Sequence, residues 1–68
     1  MISYAPLFKT LKEKNVQLID LIRECKLSPA TVAKFRKNES VTLETISRVC
    51  CYLNVPIERV VIIHCNKT

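Results

Sequence analysis

The chain has 68 residues, a net charge of +5 and no glycine. A chain this short buries only about 60% of the surface that its unfolded form exposes, so we expect one small domain, residues 1–68, with a thin core. No run of about 18 apolar residues is present, which argues against a membrane-spanning helix. The N-terminus shows no basic segment followed by a long apolar one, so we expect a cytoplasmic protein.

The charge and the cysteines narrow the class of protein further. A positive net charge in so small a chain favours a polyanionic partner, with nucleic acid ahead of an anionic membrane.

The four cysteines are Cys25, Cys50, Cys51 and Cys65. Without an export signal we expect reduced thiols. Neighbours on a helix point about 100° apart, so Cys50 and Cys51 cannot easily share an ion, and no CxxC pair is present. We therefore predict no metal site.

Catalysis is also unsupported by the sequence. His64 is the single histidine, and neither a glycine-rich loop nor a paired carboxylate site accompanies it. We predict no enzyme activity, no cofactor and no small-molecule ligand.

Apolar residues at helical spacing predict two helices in the first part of the chain. The first runs from about Pro6 to Lys14, with Asn15 as a left-handed C-terminal cap. The second runs from about Gln17 to Cys25. One stripe of the first helix carries Tyr4, Leu7, Phe8 and Leu11, and the predicted buried stripe of the second carries Leu18, Leu21, Ile22 and Cys25.

Two further helices follow, each opened by a hydroxyl residue. Ser28 precedes a helix over about Pro29 to Arg36, and Thr42 precedes one over Leu43 to Leu53. Their predicted inner residues are Val32, Phe35, Leu43, Ile46, Val49, Cys50 and Leu53.

The segment Asn54-Val55-Pro56 ends the fourth helix, and the residues after it have a different secondary-structure preference. Pro56 to about Val60 is long enough for a short fifth helix, and Val60 to Ile63 is β-branched and favours a strand. Its expected partner is Ile2-Ser3-Tyr4, in the same chain or in a second one. Unprotected strand edges favour association, so we expect a homodimer. The fold class is all-α: a compact bundle of about five short helices with short extended segments at both ends.

The region from Gln17 to Arg36 carries the functional prediction. Two amphipathic helices joined by the tight turn Lys26-Leu27 must cross steeply, which makes the third helix a ridge that fits the major groove of B-DNA. On its outer face Ala30 and Ala33 permit close approach, and Lys34 can reach guanine O6 and N7. Ser28 offers a hydroxyl and free backbone N–H groups to a phosphate.

Three stretches resemble the Cro/repressor-type (XRE-like, lambda-repressor-like) helix-turn-helix family and its small stand-alone bacterial or phage-like members. They are LFKTLKEKNV (7–16), DLIRECKLSPATVAKFRKNESVT (20–42) and LETISRVCCYLNVPIERV (43–60). The resemblance implies roles near the bases for Pro29, Ala30, Thr31 and Lys34, and phosphate contacts near Gln17, Ser28, Lys37 and Asn38. Lys26 departs from the family pattern, since glycine is usual in the turn. Cys51 departs too, since a polar residue is usual there.

The first hypothesis is therefore a transcriptional repressor that binds double-stranded DNA as a dimer on a roughly palindromic site. The alternative is a protein-interaction module of antitoxin or adaptor type, for which an apolar outer face on the third helix would be typical. RNA binding is a third option, but Phe8 and Phe35 are expected to be buried, which leaves Tyr4 and Tyr52 as candidates for base stacking.

Overall fold

The computed structural model describes residues 1–65, so the last three residues of the predicted domain, 66–68, lie outside the described part. The elements are β1 (Ile2–Ser3), α1 (Ala5–Lys14), α2 (Leu18–Glu24), α3 (Pro29–Lys37), α4 (Leu43–Leu53), a turn of 3-10 helix (Ile57–Arg59) and β2 (Ile62–Ile63). The all-α prediction is confirmed, and both ends of each of the four helices lie within one residue of the prediction. The predicted fifth helix is a single 3-10 turn. Within the described residues no helix is long and apolar enough to cross a membrane.

Asparagine takes the place of glycine at three helix ends. Asn15, Asn38 and Asn54 follow α1, α3 and α4 with φ values of 57°, 56° and 57°. This left-handed conformation is one that a short polar side chain tolerates better than most. The prediction for Asn15 is confirmed. Lys26, with φ 57°, shares this conformation without that advantage.

Hydroxyl side chains begin α3 and α4, as predicted. Ser28 Oγ accepts a hydrogen bond from the Thr31 N–H at 3.1 Å, and Thr42 Oγ1 accepts one from the Thr45 N–H at 3.2 Å. Each bond satisfies one of the backbone donors that the first turn of a helix leaves without a partner.

The core lies where all four helices meet the two terminal segments. Its buried residues are Tyr4, Leu7, Leu11, Leu21, Cys25, Leu27, Val32, Phe35, Ile46, Val49, Leu53 and Val60. Phe35 is fully buried, and its ring meets that of Tyr4 edge-on with centroids 4.9 Å apart. Aromatic pairs in this arrangement contribute more than their buried area alone.

Six burial predictions need correction. Leu43 is 77% exposed because it is the first residue of α4, at the end of the helix that projects beyond the core. Phe8 lies at the margin of the α1 stripe and is 37% exposed. Leu18, Ile22 and Cys50 pack against the core but are only partly buried. Tyr4 is 1% exposed, so it is not available to stack on bases.

The terminal segments pair within one chain. Ile2 lies opposite Ile63 and Ser3 opposite Ile62 in an antiparallel two-stranded sheet. The observed strand is shorter than the predicted one. Val60 is buried in the core, and the N–H of Val61 still bonds to the Ile57 carbonyl of the 3-10 turn, so extended pairing starts at Ile62.

Candidate nucleic-acid interface

Helices α2 and α3 are the two helices of the predicted helix-turn-helix. Between them Leu21, Leu27, Val32 and Phe35 are buried, which fills the angle that a short connection creates. Since these residues point inward, the opposite side of α3 is turned away from the core. The tight turn thus presents α3 as an exposed ridge.

The outer face of α3 is small, polar and basic. The predicted residues exposed along it and just beyond its ends are Ser28, Pro29, Ala30, Lys34, Lys37 and Asn38, while Thr31 and Ala33 are half-buried at its edge. The sequence of α3, PATVAKFRK, contains three basic residues and no acidic one. An outer face with alanines and lysines lacks the contiguous apolar patch that a protein-binding helix would show.

The first turn of α3 has fewer free donors than the sequence suggested. Pro29 has no N–H, and that of Thr31 bonds to the Ser28 hydroxyl. The Ser28 and Thr31 hydroxyl oxygens also lie 3.0 Å apart. Among the hydrogen bonds of residues 1–65, this leaves the N–H groups of Ser28 and Ala30 as the amides that can meet a phosphate at this end of the helix.

The start of α2 places Gln17 on the surface. The Asp20 carboxylate accepts a hydrogen bond from the Gln17 backbone N–H at 2.9 Å and also pairs with Arg23. The Gln17 bond and then the Arg23 bond hold the pKa of this carboxyl below its usual range. The Gln17 side chain is exposed, so it remains available for an external contact.

A shallow depression of about 530 Å³ brings α1, α2 and α3 together beside Gln17. Lys12 of α1 and Arg36 of α3 line it with Gln17. The predicted site did not contain this common surface of Lys12, Arg36 and Gln17. Helical spacing alone could not show that two cations from distant elements share one surface with Gln17.

The C-terminal end of α3 is fastened to the N-terminal segment. The Tyr4 N–H donates to Asn38 Oδ1 at 3.0 Å, and the Tyr4 hydroxyl donates to the Glu39 carbonyl at 2.7 Å. Burial raises the pKa of Tyr4, so the hydroxyl stays protonated and keeps donating at neutral pH. Asn38 therefore uses its amide oxygen inside the protein, which leaves its NH₂ group for a phosphate.

Net charge is divided unevenly along the chain. Residues 1–38 contain eight of the eleven basic residues but three of the six acidic ones, so this segment carries the whole net charge of +5. The segment includes α1, α2 and α3. The remainder, which includes α4 and the 3-10 turn, has no net charge. The electrostatic attraction for a polyanion is thus concentrated around the helix pair.

The cysteines form no cluster with other ligand-type residues. All four are free; Cys25 is buried, Cys50 half-buried, and Cys51 and Cys65 exposed. Burial raises the pKa of Cys25 and of Cys50, which disfavours the thiolate form in both. Across residues 1–65, no group of three or more histidine, cysteine or acidic residues could hold a metal ion.

Comparisons with known proteins agree with this geometry. A family model described as the Cro/C1-type HTH DNA-binding domain matches residues 7–63. The fold is similar to the crystal structure of the transcriptional regulator VanUg, with a TM-score of 0.86 and 31% sequence identity over 90% of this chain and 81% of that one. No match was found among curated proteins. The chain belongs to the Cro/C1-type helix-turn-helix DNA-binding family.

Proposed function

We propose that the protein is a sequence-specific transcriptional repressor that inserts α3 into the major groove of double-stranded DNA. The observation that carries the proposal is the outer face of α3, where exposed Ala30 and Lys34 lie on a ridge without acidic residues. B-DNA admits a helix in its major groove, and lysine there can donate to guanine O6 and N7.

Each predicted site residue has a role in this proposal. Lys34 reads a base, while Pro29, Ala30, Thr31 and Ala33 allow the helix to approach the base edges closely. Phosphates on either side are bound by Gln17, Ser28, Lys37 and Asn38. Lys12 and Arg36, which share the depression with Gln17, extend the phosphate row.

Two copies bound to a two-fold symmetric site would supply the affinity that one small domain lacks. Repression needs nothing beyond occupancy, because a protein that covers a promoter excludes other proteins from it. Repression can be tested by transcription in vitro from a promoter that overlaps the DNA sequence to which the protein binds.

The first test is selection from random double-stranded DNA at two salt concentrations, followed by affinity measurements on the enriched sequence. Binding should weaken steeply with salt, because each neutralised phosphate contributes about 0.9 to the slope of log K against log salt. Lack of retention at low salt would contradict DNA binding and favour the protein-interaction alternative.

Lys34 and Lys37 offer a matched pair of variants on one helix. Lys34→Ala should lose about 10- to 100-fold in discrimination between the selected and a scrambled sequence, because a base contact is removed. Lys37→Ala should weaken both sequences equally and lower the salt slope by about 1, because a phosphate contact is removed. Equal discrimination by Lys34→Ala and the parent protein would contradict the role of Lys34.

A further inference from the structure

Two thiols line one surface depression beside the turn that connects α2 to α3. The depression has a volume of about 420 Å³, and its lining residues are Glu24, Cys25, Lys26, Arg48, Cys51 and Tyr52. Cys51 is exposed on α4, whereas Cys25 is buried directly after the last residue of α2. The depression therefore brings together an accessible thiol and a buried thiol from two different parts of the chain.

Both thiols can reach the same backbone oxygen, the carbonyl of Arg48. The Cys25 thiol donates a weak hydrogen bond to this oxygen, and its sulfur atom lies 3.7 Å away. Cys51 follows Arg48 by three residues on α4, and a γ atom on a helix can reach the carbonyl three residues before it. Rotation about χ1 of Cys51 thus brings its sulfur atom to the oxygen that Cys25 already contacts.

The other two cysteines lie outside this depression. Cys50 is the neighbour of Cys51 on α4, but successive side chains on a helix point about 100° apart, so a bond between these two would require the helix to unwind. Cys65 is exposed in the segment that follows β2. Among the cysteines of residues 1–65, Cys25 and Cys51 are therefore the pair that the fold places for joining.

We propose that Cys25 and Cys51 form an oxidation site, at which a peroxide joins the two thiols in a disulfide that ties the end of α2 to α4 and weakens DNA binding. The disulfide itself goes beyond the proposed function and does not depend on it. The effect on DNA binding rests on the proposed function.

The reaction has two steps, and Cys51 reacts first because its thiol is exposed. The Cys51 sulfur attacks one oxygen of hydrogen peroxide: an S–O bond forms, the O–O bond breaks, one water leaves, and two electrons pass from sulfur to the peroxide. The Cys25 sulfur then attacks the Cys51 sulfur: the S–S bond forms, the S–O bond breaks, and the hydroxide leaves with the Cys25 proton as a second water.

Burial raises the pKa of Cys25, which leaves little of its thiolate. Since the thiolate is the nucleophile, the second step should be slower than the first. The oxidised form of Cys51, a sulfenic acid, should therefore persist long enough to be captured by dimedone, a reagent that reacts with sulfenic acids.

The position of Cys25 connects this site to the helix proposed to enter DNA. Cys25 immediately precedes Lys26, whose left-handed conformation directs the chain from α2 towards α3. Cys25 is buried and Cys51 is exposed, so a bond between them draws Cys25 outward from the core. Movement of Cys25 displaces the turn, which changes the orientation of α3 relative to α2. We therefore expect the oxidised protein to fit the major groove less well.

The first experiment treats the whole protein, at low concentration, with hydrogen peroxide and identifies the products by mass spectrometry. The parent chain should lose the mass of two hydrogen atoms, peptide mapping should show Cys25 joined to Cys51, and a thiol reductant should reverse the change. Cys51→Ser should form no such disulfide. Cys65→Ser is the matched control, because it replaces an exposed thiol outside the depression, and it should react like the parent.

A second variant tests the order of the two steps. Cys25→Ala keeps a small apolar side chain in the core, and thermal unfolding checks that it folds. In this variant Cys51 should accumulate as the dimedone adduct, since nothing resolves the sulfenic acid. If the variant unfolds, Cys51→Ser still decides the assignment. Crosslinks that only join two chains, or oxidation of Cys51 in the parent that never consumes Cys25, would overturn the proposal.

Measurements on DNA separate this inference from the proposed function. The oxidised parent should bind the selected sequence roughly fivefold or more weakly than the reduced parent, and Cys51→Ser should bind equally before and after peroxide. Equal affinities of the oxidised and reduced parent would overturn the coupling of the disulfide to DNA binding. If no sequence is selected at all, the proposed function fails, while peptide mapping still decides the oxidation site.

Discussion

Replacing Lys26 by glycine should stabilise the protein. Lys26 connects α2 to α3 with φ 57°, a conformation that costs a residue with a Cβ about 1–2 kcal/mol. Glycine removes that cost but loses about 0.5–1 kcal/mol more conformational entropy on folding. The expected net gain in the free energy of unfolding is about 0.5–1 kcal/mol. For a domain of this size, 1 kcal/mol corresponds to a rise in Tm of about 4–8 °C.

The assay is thermal and urea denaturation followed by far-ultraviolet circular dichroism. Lys26→Ala is the first control, because Lys26 lies beside Arg48 in a surface depression and removal of its charge could itself stabilise. Alanine keeps the Cβ, so its Tm should stay near that of the parent. Lys12→Gly is the second control: inside α1, glycine should destabilise by about 1 kcal/mol. A Tm of Lys26→Gly at or below that of the parent would refute the backbone argument, and an equal rise in Lys26→Ala would assign the effect to charge.

Two further predictions concern the core and the pH dependence. Phe35→Ala should lower the free energy of unfolding by about 3–5 kcal/mol, which approaches the roughly 3–10 kcal/mol expected for the whole domain. Phe35→Leu should remain folded and lose mainly the edge contact with Tyr4. An unchanged Tm in both variants would show that Phe35 is not the core residue described. Hydrogen bonds from Gln17 and Arg23 lower the pKa of Asp20 in the folded state. The contribution of Asp20 to the free energy of unfolding is therefore fully present above the unfolded pKa of about 3.9 and is lost as the pH falls through the folded pKa. Urea midpoints of Asp20→Asn should therefore fall less than those of the parent on acidification below about pH 4, and parallel curves would contradict this role.

The helices could be predicted from the sequence because their limits depend on neighbouring residues. Ser28 and Thr42 bond to an N–H three positions later, and Asn15 adopts the left-handed conformation at the residue that ends α1. These interactions span at most a few residues, so the order of residue types is enough to indicate them. Pairing of β1 with β2 in the same chain was one of two predicted alternatives, and only the three-dimensional path could decide between them.

The remaining features depend on contacts between residues far apart in the chain. Tyr4 bonds to Asn38, 34 positions away, and no local pattern indicates that an N-terminal tyrosine fastens the end of α3. The exposure of Leu43 and Phe8 was missed because helical periodicity shows which residues share a stripe but not how far the core extends beneath it. Helical periodicity also could not show that Lys12 and Arg36 lie on one surface, because they belong to different helices.

Tyr4 links the N-terminal segment to the helix on which the proposed function depends. Its ring packs on Phe35 of α3, and its hydroxyl donates to the Glu39 carbonyl just after that helix. Its backbone N–H donates to Asn38 Oδ1, so a residue outside α2 and α3 fixes the position of the C-terminal end of α3. Because a ridge can enter a groove only in one orientation, we expect Tyr4→Ala to weaken DNA binding even though Tyr4 lies outside the basic face.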